Sequence, residues 1–99
     1  MMKPKVSNLL SLVKVAIEAG KYRYTGHAEE RLQLKLVTRL EVKQALFSGY
    51  HEQRKDKFDE DFGEWNYSIH GKTLDERELR IVVSFEEALL IITIIDLDK

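Results

Sequence analysis

The sequence predicts an α+β fold: three N-terminal helices packed on one face of a C-terminal antiparallel β-meander of about four strands. Three observations predict it. The hydrophobic period changes from 3.6 residues before Gly49 to 2 after it. All the helical segments come first and all the main strands follow, the order of a fold with helices segregated to one face of a sheet. Finally, 99 residues with 43% apolar and 33% charged content and one proline suit a single hydrophobic core. Residues 1–99 are therefore read as one domain.

Leu9, Leu12, Val13, Ala16 and Ile17 recur at three- and four-residue spacings, which predicts a helix over residues 7–19. Ser7 or Asn8 stands where its cap belongs, and Gly20 where a left-handed residue ends it. Tyr22-Arg23-Tyr24 is expected to add a short strand. A second helix begins near Gly26–His27 and runs to about Lys35, with Ala28, Arg31, Leu32 and Lys35 at helical spacing. The third has the sharpest local signature. Thr38-x-x-Glu41 is a capping box, flanked by Val37 and Val42 as a hydrophobic staple. Val42, Ala45 and Leu46 supply its buried stripe, and Gly49 closes it.

Residues 50–58 are polar enough to predict an edge strand, since Arg, Lys and Asp are costly in a sheet centre. Residues 59–63 form a turn. Trp65, Tyr67 and Ile69 then alternate with Asn66, Ser68 and His70, a strand with one wet side. Residues 71–76 are expected to form a polar loop. Leu79, Ile81, Val83 and Phe85 make the next alternating strand, turned by Glu86-Glu87 into residues 89–95, apolar on both faces and expected to be central and buried on both sides.

Several function classes fall away on composition. With no cysteine there is no disulfide scaffold, thiol nucleophile or Cys-ligated zinc, and a reducing, cytoplasmic setting is the expectation. No apolar run approaches the ~20 residues of a membrane span, so no membrane partner is expected. His27, His51 and His70 lack metal-motif spacing, and no Gly-rich phosphate loop or nucleophile elbow is present, so no cofactor is expected.

Alternation sorts the strand residues by face, and chemistry shows on the wet one. If Trp65, Tyr67 and Ile69 face the helices, then Asn66, Ser68 and His70 face away, as do Glu78 and Arg80 on the next strand. A histidine near neutral pKa can move a proton, and an arginine fork can hold a phosphate. That pairing suffices for metal-free RNA cleavage, in which the ribose 2′-OH attacks its own phosphate. The ordinary alternative is a face that is simply solvated. His27 and Arg31, four apart at a helix start, could share a phosphate; His27 could equally bond a neighbouring strand. Arg54-Lys55-Asp56-Lys57 either protects a sheet edge or tracks a nucleic-acid backbone. His51 is expected at the surface.

The order of these pieces resembles a family. An opening helix ending Glu-Ala-Gly-Lys, the Tyr-Arg-Tyr-Thr segment, two helices closed by Gly49, a polar strand, a Trp65-Asn66-Tyr67 strand and two final strands are similar to the MqsR-type messenger-RNA interferase toxins, small RelE-superfamily endoribonucleases of bacteria. The His27-Ala28-x-x-Arg31 start also resembles a bacterial family of uncharacterised domains often encoded beside antitoxins. The resemblance covers about residues 7–96. It implies a RelE-like fold, metal-independent cleavage of an mRNA substrate, and neutralisation by a cognate antitoxin protein.

Carried over by position, the family's strand lysine falls at or near Arg54, its glutamine on Asn66 and its tyrosine near Glu78, close to Arg80. Its last lysine falls at residues 95–96, where none stands; Lys99 is the nearest. The expectation is therefore a distinct set: His70 or His27 as the base, Arg80 and Arg54 on the scissile phosphate, Asn66 and Tyr67 orienting base or sugar, and Arg31, Lys55 and Arg23 on the RNA backbone. Two rivals remain: an inactive RelE-like module that binds RNA or a partner without cutting, and a helix-turn-helix reading DNA with Arg39, Lys43 and Gln44. The net charge of −1 excludes neither, because residues 1–57 carry twelve Lys/Arg against six Asp/Glu and residues 58–99 four against eleven. Arg23, Arg31, Arg54 and Lys55 are expected near Arg80.

Overall fold

The computed structural model describes residues 2–98. Along the chain lie α1 (Leu9–Glu18), β1 (Tyr22–Tyr24), α2 (Gly26–Lys35), α3 (Arg39–Ser48), β2 (Tyr50–His51), a 3-10 turn (Gln53–Lys55), β3 (Lys57–Asp59), β4 (Glu64–Lys72), β5 (Glu78–Phe85) and β6 (Leu89–Asp96). The sheet order is β1-β6-β5-β4-β2, with β3 continuing along β4.

Most helix ends obey local chemistry, although Asn8 at the start of α1 makes no side-chain capping hydrogen bond. Gly20 (φ 71°) closes α1 with Lys21 N–H donating to the Ala16 carbonyl at 2.8 Å. The Thr25 hydroxyl caps α2, and the Thr38–Glu41 capping box is fully formed, with Thr38 N–H donating to the Glu41 carboxylate at 2.9 Å. Gly49 acts differently from a left-handed cap. Its backbone is extended, and its role is close approach: a Cβ there would meet the Ala45 carbonyl oxygen and the His70 carbonyl oxygen. Gly71 on β4 likewise lies directly against the Ala45 backbone. These two glycines let α3 settle onto the sheet through Ala45, flanked by Val42 and Leu46.

The expected four-stranded antiparallel meander is corrected to a six-stranded mixed sheet. Tyr22–Tyr24 pairs in parallel with β6, Tyr22 opposite Leu89 and Tyr24 opposite Ile91. Thr25 then extends the contact, its N–H donating to the Ile91 carbonyl and its hydroxyl to that of Ile92. The short strand expected at Tyr22–Tyr24 is present, and it gives the apolar strand β6 a neighbour on its outer side; its parallel partner, far along the chain, is what periodicity does not place. The polar stretch 50–58 is likewise two strands broken by a 3-10 turn. Where the ladder lapses, the Asp56 carboxylate accepts the Ser68 N–H at 3.0 Å in place of a backbone carbonyl.

Two further boundaries move. β4 runs on through Lys72, into what reads as loop. β6 is central but is not buried on both sides: Leu89, Ile91 and Ile94 enter the core, whereas Leu90, Ile92, Thr93 and Ile95 are half-exposed on the opposite face. The N-terminal segment straps the β4 edge. Trp65 Nε1–H donates to the Lys3 carbonyl at 2.7 Å, and Val6 N–H donates to the Tyr67 hydroxyl at 2.9 Å. Among the described residues, no helix is long and apolar enough to cross a membrane.

Candidate functional site

The site is built on the sheet face opposite α1 and α3. Antiparallel register places His70 of β4 opposite Arg80 of β5 and Ser68 opposite Val82, so the polar rows inferred from alternation do meet. On the other side of β4, Tyr50 stands opposite His70. Glu52 follows two residues later and therefore points to the same face.

Two networks result. In the first, His70 Nε2 meets the Glu78 carboxylate at 2.8 Å and Nδ1 meets the Tyr50 hydroxyl at 3.1 Å. The Tyr50 ring also stacks on the imidazole, centroids 5.2 Å apart. In the second, Arg80 reaches across β4 to Glu52, Nε to Oε1 at 2.9 Å and Nη2 to Oε2 at 3.3 Å. Glu52 is only 7% exposed. The Arg80 hydrogen bond holds its carboxyl below the usual glutamate range, against the opposing effect of burial, and the charges of Arg80, His70 and Arg54 add to the lowering. Arg54 also reaches Glu52 Oε2, at 3.5 Å.

Beside these networks lies a cavity of about 260 Å³ lined by Lys55, Lys57, Asn66, Ser68, Arg80, Val82 and Ile95. Lys55 and Lys57 come from the broken edge strand, which brings the basic run up to the open face. A cavity with three cations, an amide and a hydroxyl suits a phosphodiester.

The structure gathers some of the sequence-derived residues and separates others. His70, Arg80, Arg54, Lys55 and Asn66 share one region of the sheet. His27 stands at the α2 start across the face, its Nε2 3.2 Å from the Thr93 hydroxyl. Arg31 lies one turn further along α2, its Nε buried and without a hydrogen-bond partner among the described residues. Arg23 is exposed on β1, at the opposite edge of the sheet from β2. The expected convergence of Arg23 on Arg80 is thus corrected: Arg23 stands on an edge strand that β6 separates from β5.

Tyr67 is corrected too. It is 4% exposed, on the core face, with its hydroxyl taken by the Val6 N–H, so it cannot orient a ligand on the open face. His51 is not a surface residue; its Nε2 is 2.8 Å from the Asp56 carboxylate, whose side chain is fully buried. Lys99 lies outside the described residues. Sequence reading missed Glu52, Tyr50 and the orienting role of Glu78. Glu52 and Tyr50 were legible only as members of a polar edge, because their partners stand 28 and 20 residues away. Arg39 and Lys43, the DNA readers of the helix-turn-helix alternative, lie over the Tyr24 and Tyr22 rings, and Arg39 pairs with Glu29 at 3.3 Å. Among the described residues, no group of three or more His, Asp or Glu side chains is placed to hold a metal ion.

A family model described as a domain of unknown function, DUF4258, matches residues 24–96. The chain belongs to that family. The DUF4258 span runs from the last residue of β1 through β6, so it contains both networks and the basic cavity, and leaves α1 and the N-terminal strap outside. No curated protein and no solved structure matches the chain.

Proposed function

We propose that this DUF4258 domain is a metal-independent endoribonuclease acting on mRNA, of the RelE-superfamily type, working as the toxin of a bacterial toxin–antitoxin pair. One observation carries the reading: His70 is held between the Glu78 carboxylate and the exposed Tyr50 hydroxyl, opposite Arg80 and next to a basic cavity.

With Nε2 protonated against Glu78, His70 presents the Nδ1 lone pair to the Tyr50 O–H. Tyr50 is 55% exposed, so its hydroxyl is the group that meets a ribose. As the 2′-oxygen forms its bond to phosphorus, the 2′-proton passes to Tyr50 and the Tyr50 proton to His70. Glu78 stabilises the imidazolium that results. The bond from phosphorus to the 5′-oxygen breaks, that oxygen takes a proton from water, and the hydroxide so formed takes the proton back from His70. Lys55, Lys57 and the Arg80 donors not used by Glu52 offset the charge growing on the phosphate.

The test is cleavage of a labelled RNA by the purified chain, read with the 2′,3′-cyclic phosphate as product. His70→Ala is expected to slow cleavage ~100-fold or more, the usual contribution of a general base, and Tyr50→Phe to slow it nearly as much. RNA left intact over many hours, beside an active toxin control, sinks the proposal.

A second reading has its own observation. Arg80 is already paired with a buried carboxylate, which lowers its capacity to stabilise extra charge in a transition state. A module that binds RNA without cutting it would tolerate this. RNA retained by the protein but never cleaved selects that reading.

A further inference from the structure

The open face has another cavity, of about 360 Å³, which shares Asn66 with the basic one. Its walls are of another kind. Leu90, Ile92 and, from the β3–β4 turn, Phe62 line it with apolar side chains, and Asp59, Glu86 and His27 line it as well. We propose that this cavity is a nucleobase subsite, taking one unstacked RNA base that carries an exocyclic amino group. The inference rests on the RNA reading above and adds to it where the base goes and which bases fit.

Continuity is the first argument. Asn66 pairs across the ladder with Lys57, so a strand whose phosphate sits at Lys55 and Lys57 delivers its adjoining nucleotide to Asn66. The second is the walls. Phe62 is 72% exposed, and an exposed aromatic ring sharing a cavity with two half-buried aliphatic side chains is the kind of surface on which single-stranded bases stack. The third is charge. Carboxylates in the lining repel a phosphate but accept N–H donors, as Asp and Glu do from the amino group of cytosine. Asp59 Oδ1 is occupied by the N–H groups of Asp61 and Phe62, which fixes the side chain and the turn that carries Phe62. Adenine, cytosine and guanine have an exocyclic amino group; uracil has none.

Fluorescein-labelled hexanucleotides of A, C and U with 2′-fluoro riboses, which lack the attacking hydroxyl, let affinity be read by anisotropy on the parent chain. The A and C oligomers are expected to bind about tenfold tighter than the U oligomer, within the range of one base-edge hydrogen-bonding contact. Phe62→Ala should erase that preference, and Ile92→Trp, which fills the cavity, should do the same. Lys55→Ala should weaken all three oligomers alike. Equal affinity for A, C and U, or a preference that survives both cavity variants, overturns the subsite. If the parent chain still cleaves ordinary RNA in that case, the endoribonuclease reading stands alone. Absence of binding to any oligomer together with intact RNA overturns both.

Discussion

Arg80 and Glu52 show how much one residue's environment decides. Glu52 is buried and its folded pKa lies below 4.5, so its contribution to stability is fully present above the unfolded value and is lost as pH falls through the folded one. Glu52→Gln is therefore expected to lower stability at pH 7 by on the order of 3 kcal/mol, the usual cost of breaking a buried pair. The gap to the parent should narrow as pH drops below about 4. Denaturant titrations at several pH values check this, and a gap that widens in acid would refute the assignment. Gly71 makes a steric prediction. Any Cβ there collides with the Ala45 backbone, and Gly71→Ala is expected to cost about 3 kcal/mol or more, seen as a lower melting temperature. The sequence made His70 and Arg80 legible because alternation places them without knowledge of their partners. Glu52 and Tyr50 were not legible, since a side chain's role in a sheet depends on what the next strand sets beside it.

At the scale of elements, α2 ends without glycine. Leu36 adopts φ 54° there, 83% exposed, while Val37 N–H donates to the Leu32 carbonyl at 3.0 Å. A left-handed leucine costs roughly 1 kcal/mol, and Leu36→Gly is expected to recover about that much in a denaturant titration, with no loss if the site is as strained as its φ implies. What holds the helix end is Arg77. Its guanidinium donates to the Leu36 carbonyl at 3.0 Å, to the Lys35 carbonyl and to the Asp96 carboxylate at 2.8 Å, tying α2 to β6. The Arg77 hydrogen bond also holds the Asp96 carboxyl below its ordinary range. Arg77→Lys keeps the charge but not the planar fork, so hydrogen exchange at the α2 C-terminus should accelerate in that variant while α3 stays protected. The elements the sequence displayed well were those with local signatures: the capping box, the Gly20 closure and the alternation in β4 and β5. Those it concealed were specified from a distance. Tyr22–Tyr24 is legible as a short strand but its parallel pairing with β6 is not, and residues 50–58 are broken because Asp56 replaces a ladder carbonyl.

Across the whole molecule, charge sets the terms on which a nucleic acid could bind. The two halves of the chain differ in sign, yet folding interleaves them: Lys3 pairs with Glu64 at 3.0 Å, and Arg80 with Glu52. Among the described residues, Lys55 and Lys57 remain together and unpaired by carboxylates beside the basic cavity, with part of Arg54, which is 77% exposed at its side chain. A protein that neutralises Z phosphates of a single strand loses affinity with a log–log slope near −0.7Z as salt rises. Two lysines, Arg54 and a fraction of Arg80 amount to about three phosphates, so a slope of roughly −2 is expected for a short RNA. Lys55→Ala should reduce that slope by about 0.7 and weaken every sequence equally, because a phosphate contact carries no base information. Arg23→Ala, at the far edge of the sheet, should leave the slope unchanged for a hexanucleotide. A slope near zero in the parent chain, or one that falls with Arg23→Ala and not with Lys55→Ala, would place the nucleic acid elsewhere or nowhere. The cavity between β3 and β5 would then lose its claim to be the cleavage site.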